Sequence, residues 1–179
     1  QYWIEKAFFS SSSKKIDLFA SITANPHIYN ILSGDIFLYA TEFAKSPFLE
    51  KIKSFCPDIP FFAPLGSVGL QAIQIANFIA KDYVPIFHIG LDFAYYKGFT
   101  HATSSMPAQN LLISNDRFNG LYRGENIFPM KCEWLIGKNE EKICTTPMLL
   151  TYANLYKQHF SNMKNIFDIS SSGLVLRDS

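Results

Sequence analysis

Gly66, Ser67, Gly90, Asp92, His101, Ser172 and Gly173 are the residues of this sequence that join a chemically useful type to a position at the end of an element. Gly66-Ser67 follows a short apolar stretch and opens a helix. The first N–H groups of a helix lack intrahelical partners and carry the positive end of its dipole, so such a turn can cradle phosphate or carboxylate. The same two residues also suit an ordinary strand-to-helix turn with Ser67 as its cap. Gly90-Leu91-Asp92 closes an apolar run. A carboxylate at the carboxyl end of a parallel strand faces the ligand crevice, where it can hold Mg²⁺, a ribose hydroxyl, or a substrate amine or ring nitrogen; the alternative is an Asp capping the next turn. His101 stands in the polar loop Gly98-Phe99-Thr100-His101-Ala102 and suits a general acid or base or a phosphate contact, or else an exposed surface position. The turn from Ser170 to Gly173 is a second candidate anion site, or a flexible loop near the end of the chain. Arg117 and Arg123 suit either a lid over phosphates or a solvated surface. His88 lies inside an apolar run and reads as a core histidine with a hydrogen-bond partner, while His27 and His159 read as structural or exposed.

Several chemistries are excluded by pattern. Gly66-Ser67 is not followed by Gly-Lys-Ser/Thr, so it is no P-loop, and no G-x-G-x-x-G fingerprint or G-x-S-x-G nucleophile elbow occurs. Cys56, Cys132 and Cys144 are odd in number and widely spaced, with no C-x-x-C pair. They predict neither a disulfide framework nor a zinc site and fit a reducing cytoplasm. No metal site is predicted from the residues. The formal net charge of +1 gives no general drive toward nucleic acid or anionic lipid, and no aromatic-basic pattern suggests base stacking. No apolar run of about 18 residues is present to span a membrane.

The elements that position these residues follow from hydrophobic periodicity. Residues 2 to 9 carry a helical pattern, and Ser10 to Lys15 is a polar linker. Ile16 to Ala24, Asp35 to Ala40, Pro60 to Ala63, Pro85 to Gly90 and Asn165 to Ile169 read as strands. Ser46-Pro47 starts a helix that runs to about Phe55, with Ser as cap and Pro at the first helical position. Ser67 to Ala80 is the clearest helix, with Val68, Ala72, Ile75, Ala76 and Ile79 at three- and four-residue spacings. Lys131 to Ile136 and Lys142 to Thr145 predict a hairpin across Gly137-Lys138-Asn139-Glu140, and Thr146-Pro147 starts an amphipathic helix through about Phe160. Gly98 to about Phe128 is weakly patterned; a loop of that length is usually functional or mobile. Strands alternating with helices, and an unalternating apolar strand at Pro85 to Ile89, predict an α/β sheet of about five mainly parallel strands. Hydrophobic residues are 48% and charged residues 17% of the sequence, a globular balance that fits a single domain over residues 1–179. The opening at Gln1, straight into Tyr2-Trp3-Ile4, reads as a trimmed chain lacking its N-terminal part.

The run Gly66-Ser67-Val68, an amphipathic helix, an apolar strand, then Gly90-Leu91-Asp92-Phe93-Ala94-Tyr95, Gly98 and Thr100-His101-Ala102 resembles the MptE-like 6-hydroxymethylpterin diphosphokinase family. That family includes the bacterial motility-associated factors linked to flagellin glycosylation. Tyr2-Trp3 resembles the stretch after the family's second aspartate-bearing strand, and Thr145-Thr146, the helix after it and Ser171-Ser172-Gly173 resemble its closing region. The resemblance implies a Rossmann-like three-layer sandwich similar to the bacterial sialyltransferases that use CMP-sugars; the family's Gly-rich nucleotide turn and early Asp are not in this sequence. On it, Gly66, Ser67, Gly90, Ser172 and Gly173 would bind the nucleotide, with Asp92 and His101 in catalytic roles. Three functions follow as expectations: a glycosyltransferase-like domain taking a nucleotide-activated sugar, such as a CMP-linked sugar, to a protein acceptor at the surface or flagellum; a pterin pyrophosphokinase using ATP and Mg²⁺; or a non-catalytic nucleotide-binding or interaction domain. An oligomer is compatible with each.

Overall fold

A computed structural model of the chain describes residues 15–30, 33–43, 45–81, 83–95, 109, 112–113, 116–118 and 132–177. The expected helix over 2 to 9 and His101 lie outside the described residues. The chain divides into two compact units, Gln1–Pro64 and Leu65–Ser179.

In the first unit β1 (Leu18–Ser21), β2 (Ile36–Thr41) and β3 (Phe61–Phe62) form a parallel sheet in the order β1-β2-β3. Leu18 pairs with Ile36 and Ala40 with Phe61. Strand β1 is shorter than its apolar run because the chain turns there: the Ile22 N–H still reaches the Tyr39 carbonyl at 2.9 Å, but the Ala24 N–H bonds back to the Ser21 carbonyl at 2.8 Å, and Thr23 Oγ1 and Ser21 Oγ bond at 2.9 Å, a local alternative to the ladder. Helix α1 (Pro47–Phe55) begins as its sequence dictates: Ser46 Oγ accepts from the Leu49 N–H at 3.2 Å, and proline fills a position that needs no donor.

The second unit carries helix α2 (Val68–Ala80), β4 (Ile86–His88), the antiparallel pair β5 (Glu133–Ile136) and β6 (Lys142–Thr145), helix α3 (Pro147–Phe160) and β7 (Ile166–Asp168). Strands β4 and β7 are parallel, with Ile86 opposite Ile166, Phe87 opposite Phe167 and His88 opposite Asp168. Alternation sorts these pairs onto two faces. Phe87 and Phe167 stack at 5.1 Å on one face. Ile166, His88 and Asp168 share the other with Tyr156 of α3. The core of this unit is Leu65, Leu70, Ile73, Ile143, Ala153, Tyr156, Phe160, Ile166 and Leu176, all buried.

Asn165 ties three elements to one another. Its Nδ2 donates to Asn77 Oδ1 at 2.7 Å and to the Lys81 and Val84 carbonyls, and its carbonyl accepts from the Ile86 N–H at 2.6 Å. The end of α2, where Lys81 has φ +58, is thereby joined to the starts of β4 and β7. Arg177 Nη2 donates to the Phe160 carbonyl, in the last turn of helix α3, and to the Met163 carbonyl in the turn that follows it.

The α/β class, the parallel strand pairs and the hairpin all follow the sequence pattern. The cysteines do not. Cys132 and Cys144 form a disulfide across the hairpin, with Cα atoms 5.9 Å apart. Spacing along the chain gave no sign of it, because the two residues meet only when β5 and β6 pair. Cys56 is free and exposed. Among the described residues no helix is long and apolar enough to cross a membrane.

Candidate functional site

The second unit gathers its left-handed glycines where β4 and β7 end and α2 begins. Gly66, Gly90 and Gly173 have φ of +70, +83 and +93, values that side chains rarely adopt. A Cβ on Gly66 would lie 2.8 Å from Tyr152 Cε1 of α3. One on Gly69, in the first turn of α2, would lie 2.4 Å from Leu91 Cδ2, and one on Gly173 would lie 2.5 Å from Asp92 Cα. The start of α2 therefore packs on the segment after β4, and that segment packs on the turn after β7. Leu174 N–H donates to the Asp92 carbonyl at 2.9 Å, and Gly90 N–H donates to Ser170 Oγ at 3.0 Å.

Gly66, Ser67, Gly90, Asp92 and the Ser170–Gly173 turn thus share one end of the β4–β7 pair. Ser67 occupies the cap position of α2, but its side chain makes no capping bond. Asp92 is half-buried, with its Oδ1 turned out of solvent. The following segment is held to the hairpin: Tyr95 N–H donates to the Cys144 carbonyl at 2.7 Å, and Thr145 Oγ1 donates to the Phe93 carbonyl at 2.7 Å. Arg117 is exposed, while Arg123 and His101 lie outside the described residues.

A buried polar network lies directly behind these turns. His88 and Asp168 have side chains only 8% and 7% exposed. His88 Nε2 bonds the Tyr156 hydroxyl at 2.9 Å, so the core-histidine reading of His88 holds. Its Nδ1 lies 3.8 Å from Asp168 Oδ1. Lys138 Nζ reaches Asp168 Oδ2 at 2.6 Å and the Ser170 carbonyl at 2.8 Å, and Ser170 N–H donates to Asp168 Oδ1 at 2.9 Å.

Burial disfavours the His88 imidazolium. Asp168 opposes that and Lys138 and Arg177 add to it, leaving the pKa below its usual value and the ring neutral near pH 7. Burial pushes the Asp168 carboxyl up, but bonds from Lys138 and Ser170 outweigh it, and the group is held below the ordinary carboxylate range. Burial raises the Tyr156 phenol. Asp168, Lys138 and Asn139 are the residues that sequence reasoning did not single out. The available signal was local: an Asp ending the strand two residues before the Ser170 turn, and an Asn at a hairpin tip.

Among the described residues no group of His, Cys, Asp and Glu is arranged to hold a metal ion. The first unit has a cleft of about 460 Å³ at the carboxyl ends of β2 and β3, lined by Glu42, Lys45, Phe61, Phe62, Ala63 and Pro64.

A protein of Treponema pallidum (strain Nichols), itself described as uncharacterized, is 34% identical over 180 aligned residues, which cover 100% of this chain and 31% of that protein. The chain spans about a third of the length of the curated relative it matches. No family model matches the chain, and no solved structure does.

Proposed function

We propose that this chain is part of a glycosyltransferase-like protein of the MptE-like, motility-associated-factor kind, with a Rossmann-like three-layer sandwich that binds a nucleotide-activated sugar such as a CMP-sugar. The observation that carries the reading is the meeting of the α2 start, the Gly90–Asp92 segment and the Ser170–Gly173 turn at one end of the parallel β4–β7 pair. Ligands of open α/β sheets bind beyond the carboxyl ends of the strands. Left-handed turns and helix starts present N–H groups to anions there.

In this reading Gly66, Ser67, Ser172 and Gly173 hold the anionic groups of the donor, and Gly90 gives the backbone close approach. Asp92 orients the sugar or the nucleotide through its hydroxyls. His101 takes the acceptor proton or steadies the departing phosphate, where charge develops as the sugar leaves. The acceptor is a protein, and the compartment is the cytoplasm.

A thermal-shift panel of CMP, CDP, ATP with Mg²⁺, and pterin tests this. A true ligand at 100 times its Kd adds about 2.7 kcal/mol of stability. Stabilisation by CMP or CDP is the expected result. Stabilisation only by ATP with Mg²⁺ and pterin would replace the reading with pyrophosphoryl transfer, and a flat panel would replace it with a domain that binds protein partners.

A further inference from the structure

We propose that Lys138 and Asn139, at the tip of the β5–β6 hairpin, are positioning residues that hold the Ser170–Gly173 turn in its anion-binding shape by occupying its carbonyl oxygens. The inference rests on the reading that this turn holds an anionic group of the ligand. Four bonds join the tip to the turn and the strand before it. Lys138 N–H donates to the Gly173 carbonyl at 2.9 Å. Lys138 Nζ donates to the Ser170 carbonyl at 2.8 Å and to Asp168 Oδ2 at 2.6 Å, and Asn139 Nδ2 donates to the Ser171 carbonyl at 2.8 Å.

The consequence follows from peptide planarity. In a trans peptide the carbonyl of one residue and the N–H of the next point to opposite sides. Drawing the Ser170, Ser171 and Gly173 carbonyls to the hairpin sends the Ser171, Ser172 and Leu174 N–H groups away from it. Leu174 displays this directly, since its N–H reaches the Asp92 carbonyl. The Leu174 N–H is taken by Asp92, and the Ser171 and Ser172 N–H groups, successive along a bent backbone, are the makings of an anion nest.

The tip takes up an unfavourable backbone to do this. Asn139 and Glu140 have φ of +54 and +60, at a cost of roughly 1–2 kcal/mol each for an L-residue, less for Asn. The approach is also close: a Cβ on Gly137 would lie 2.5 Å from the Gly173 carbonyl oxygen.

Asn139→Gly separates positioning from simple hairpin stability. Glycine accepts a positive φ without strain, so the hairpin keeps or gains stability, but the donor to Ser171 is lost. Inorganic phosphate and CMP are titrated by calorimetry into wild type, N139G and K138M, and amide hydrogen exchange is followed at Ser170 and Leu174 without ligand. The expected result for N139G is an unchanged or higher unfolding midpoint, about three- to tenfold weaker binding of both probes, and faster exchange at Leu174. K138M should weaken binding at least as much and speed exchange at Ser170 as well. Wild-type affinity in N139G with unchanged exchange overturns the inference and leaves the anion site standing. If wild type binds neither probe, the anion site falls and the exchange arm alone decides the clamp: faster exchange in both variants supports it, and unchanged exchange ends it.

Discussion

Asp92 and Gly173 touch, yet they ask for different experiments. Asp92 contributes a carbonyl to Leu174 and a half-buried carboxylate. Asp92→Asn keeps the carbonyl and the side-chain shape and removes only charge. Under the proposed function, sugar transfer should fall at least a hundredfold, about 2.7 kcal/mol of transition-state stabilisation, while the urea midpoint stays within error. Full activity would remove Asp92 from the site. Gly173→Ala should do the reverse, lowering the midpoint, because φ +93 strains any Cβ and the new methyl meets Asp92 backbone atoms that cannot swing aside. His88 carries a third prediction. Its folded pKa lies below the usual value of about 6.5, so the unfolded chain takes up a proton first as pH falls. The stability this group contributes is complete above about pH 6.5 and is lost on acidification below it. Asp168, also depressed, adds its loss only below about pH 4. Urea midpoints at pH 7.5 and 5.0 should drop in wild type and drop less in His88→Gln, which keeps a bond to Tyr156 but does not titrate in this range. An equal drop in both would assign the acid sensitivity to other groups.

The hairpin tip sets the prediction for the elements. Glu140 is exposed and sits at φ +60. Two consecutive left-handed residues make the tight turn whose twist suits a hairpin, and glycine is the preferred second residue. Glu140→Gly should therefore raise the unfolding free energy by about 1 kcal/mol, read as a higher urea midpoint; a lower one would mean that the Glu140 side chain holds something in place. Helices α1, α2 and α3 and the β5–β6 pair were legible because each is set by local signals: Ser-Pro or Thr-Pro at the start of α1 and α3, three- and four-residue spacing in α2, and a polar tip between the two runs of the hairpin. The boundaries of β1 and β3 were not. A strand ends where its partner ends, and β3 keeps two paired residues of the four that the pattern suggested. At the site, the glycines and Asp92 were legible from position alone. The Lys138–Asp168–His88 network was not, because its members come from three elements whose meeting depends on β4 pairing with β7 across 80 residues of chain, as the Gly90–Ser170 bond displays.

At the scale of the whole molecule, the Cys132–Cys144 bond bears most on where and how the protein works. It closes the hairpin onto a strand that also holds Phe93 and Tyr95, the segment directly after Asp92. Cross-linking residues 12 apart in sequence removes freedom mainly from the unfolded chain, and bonds of this loop size contribute about 2–4 kcal/mol. Thiol titration of the purified protein in denaturant, without reductant, should therefore find one reactive cysteine, Cys56, and three after reduction. Reduction, or Cys132→Ser, should lower the unfolding midpoint and speed amide exchange at Tyr95, whose N–H is bound to the Cys144 carbonyl. The compartment enters here. Cytosolic thiol buffers keep such pairs open, whereas oxidising surroundings close them. Protein taken from its native cells under acid quench should show the pair closed if the domain faces an oxidising space, and that result would overturn the cytoplasmic part of the proposed function without touching its chemistry. Three reactive thiols under the same quench would support the cytoplasmic reading, and the segment after Asp92 would then keep the Tyr95 and Thr145 hydrogen bonds without the cross-link.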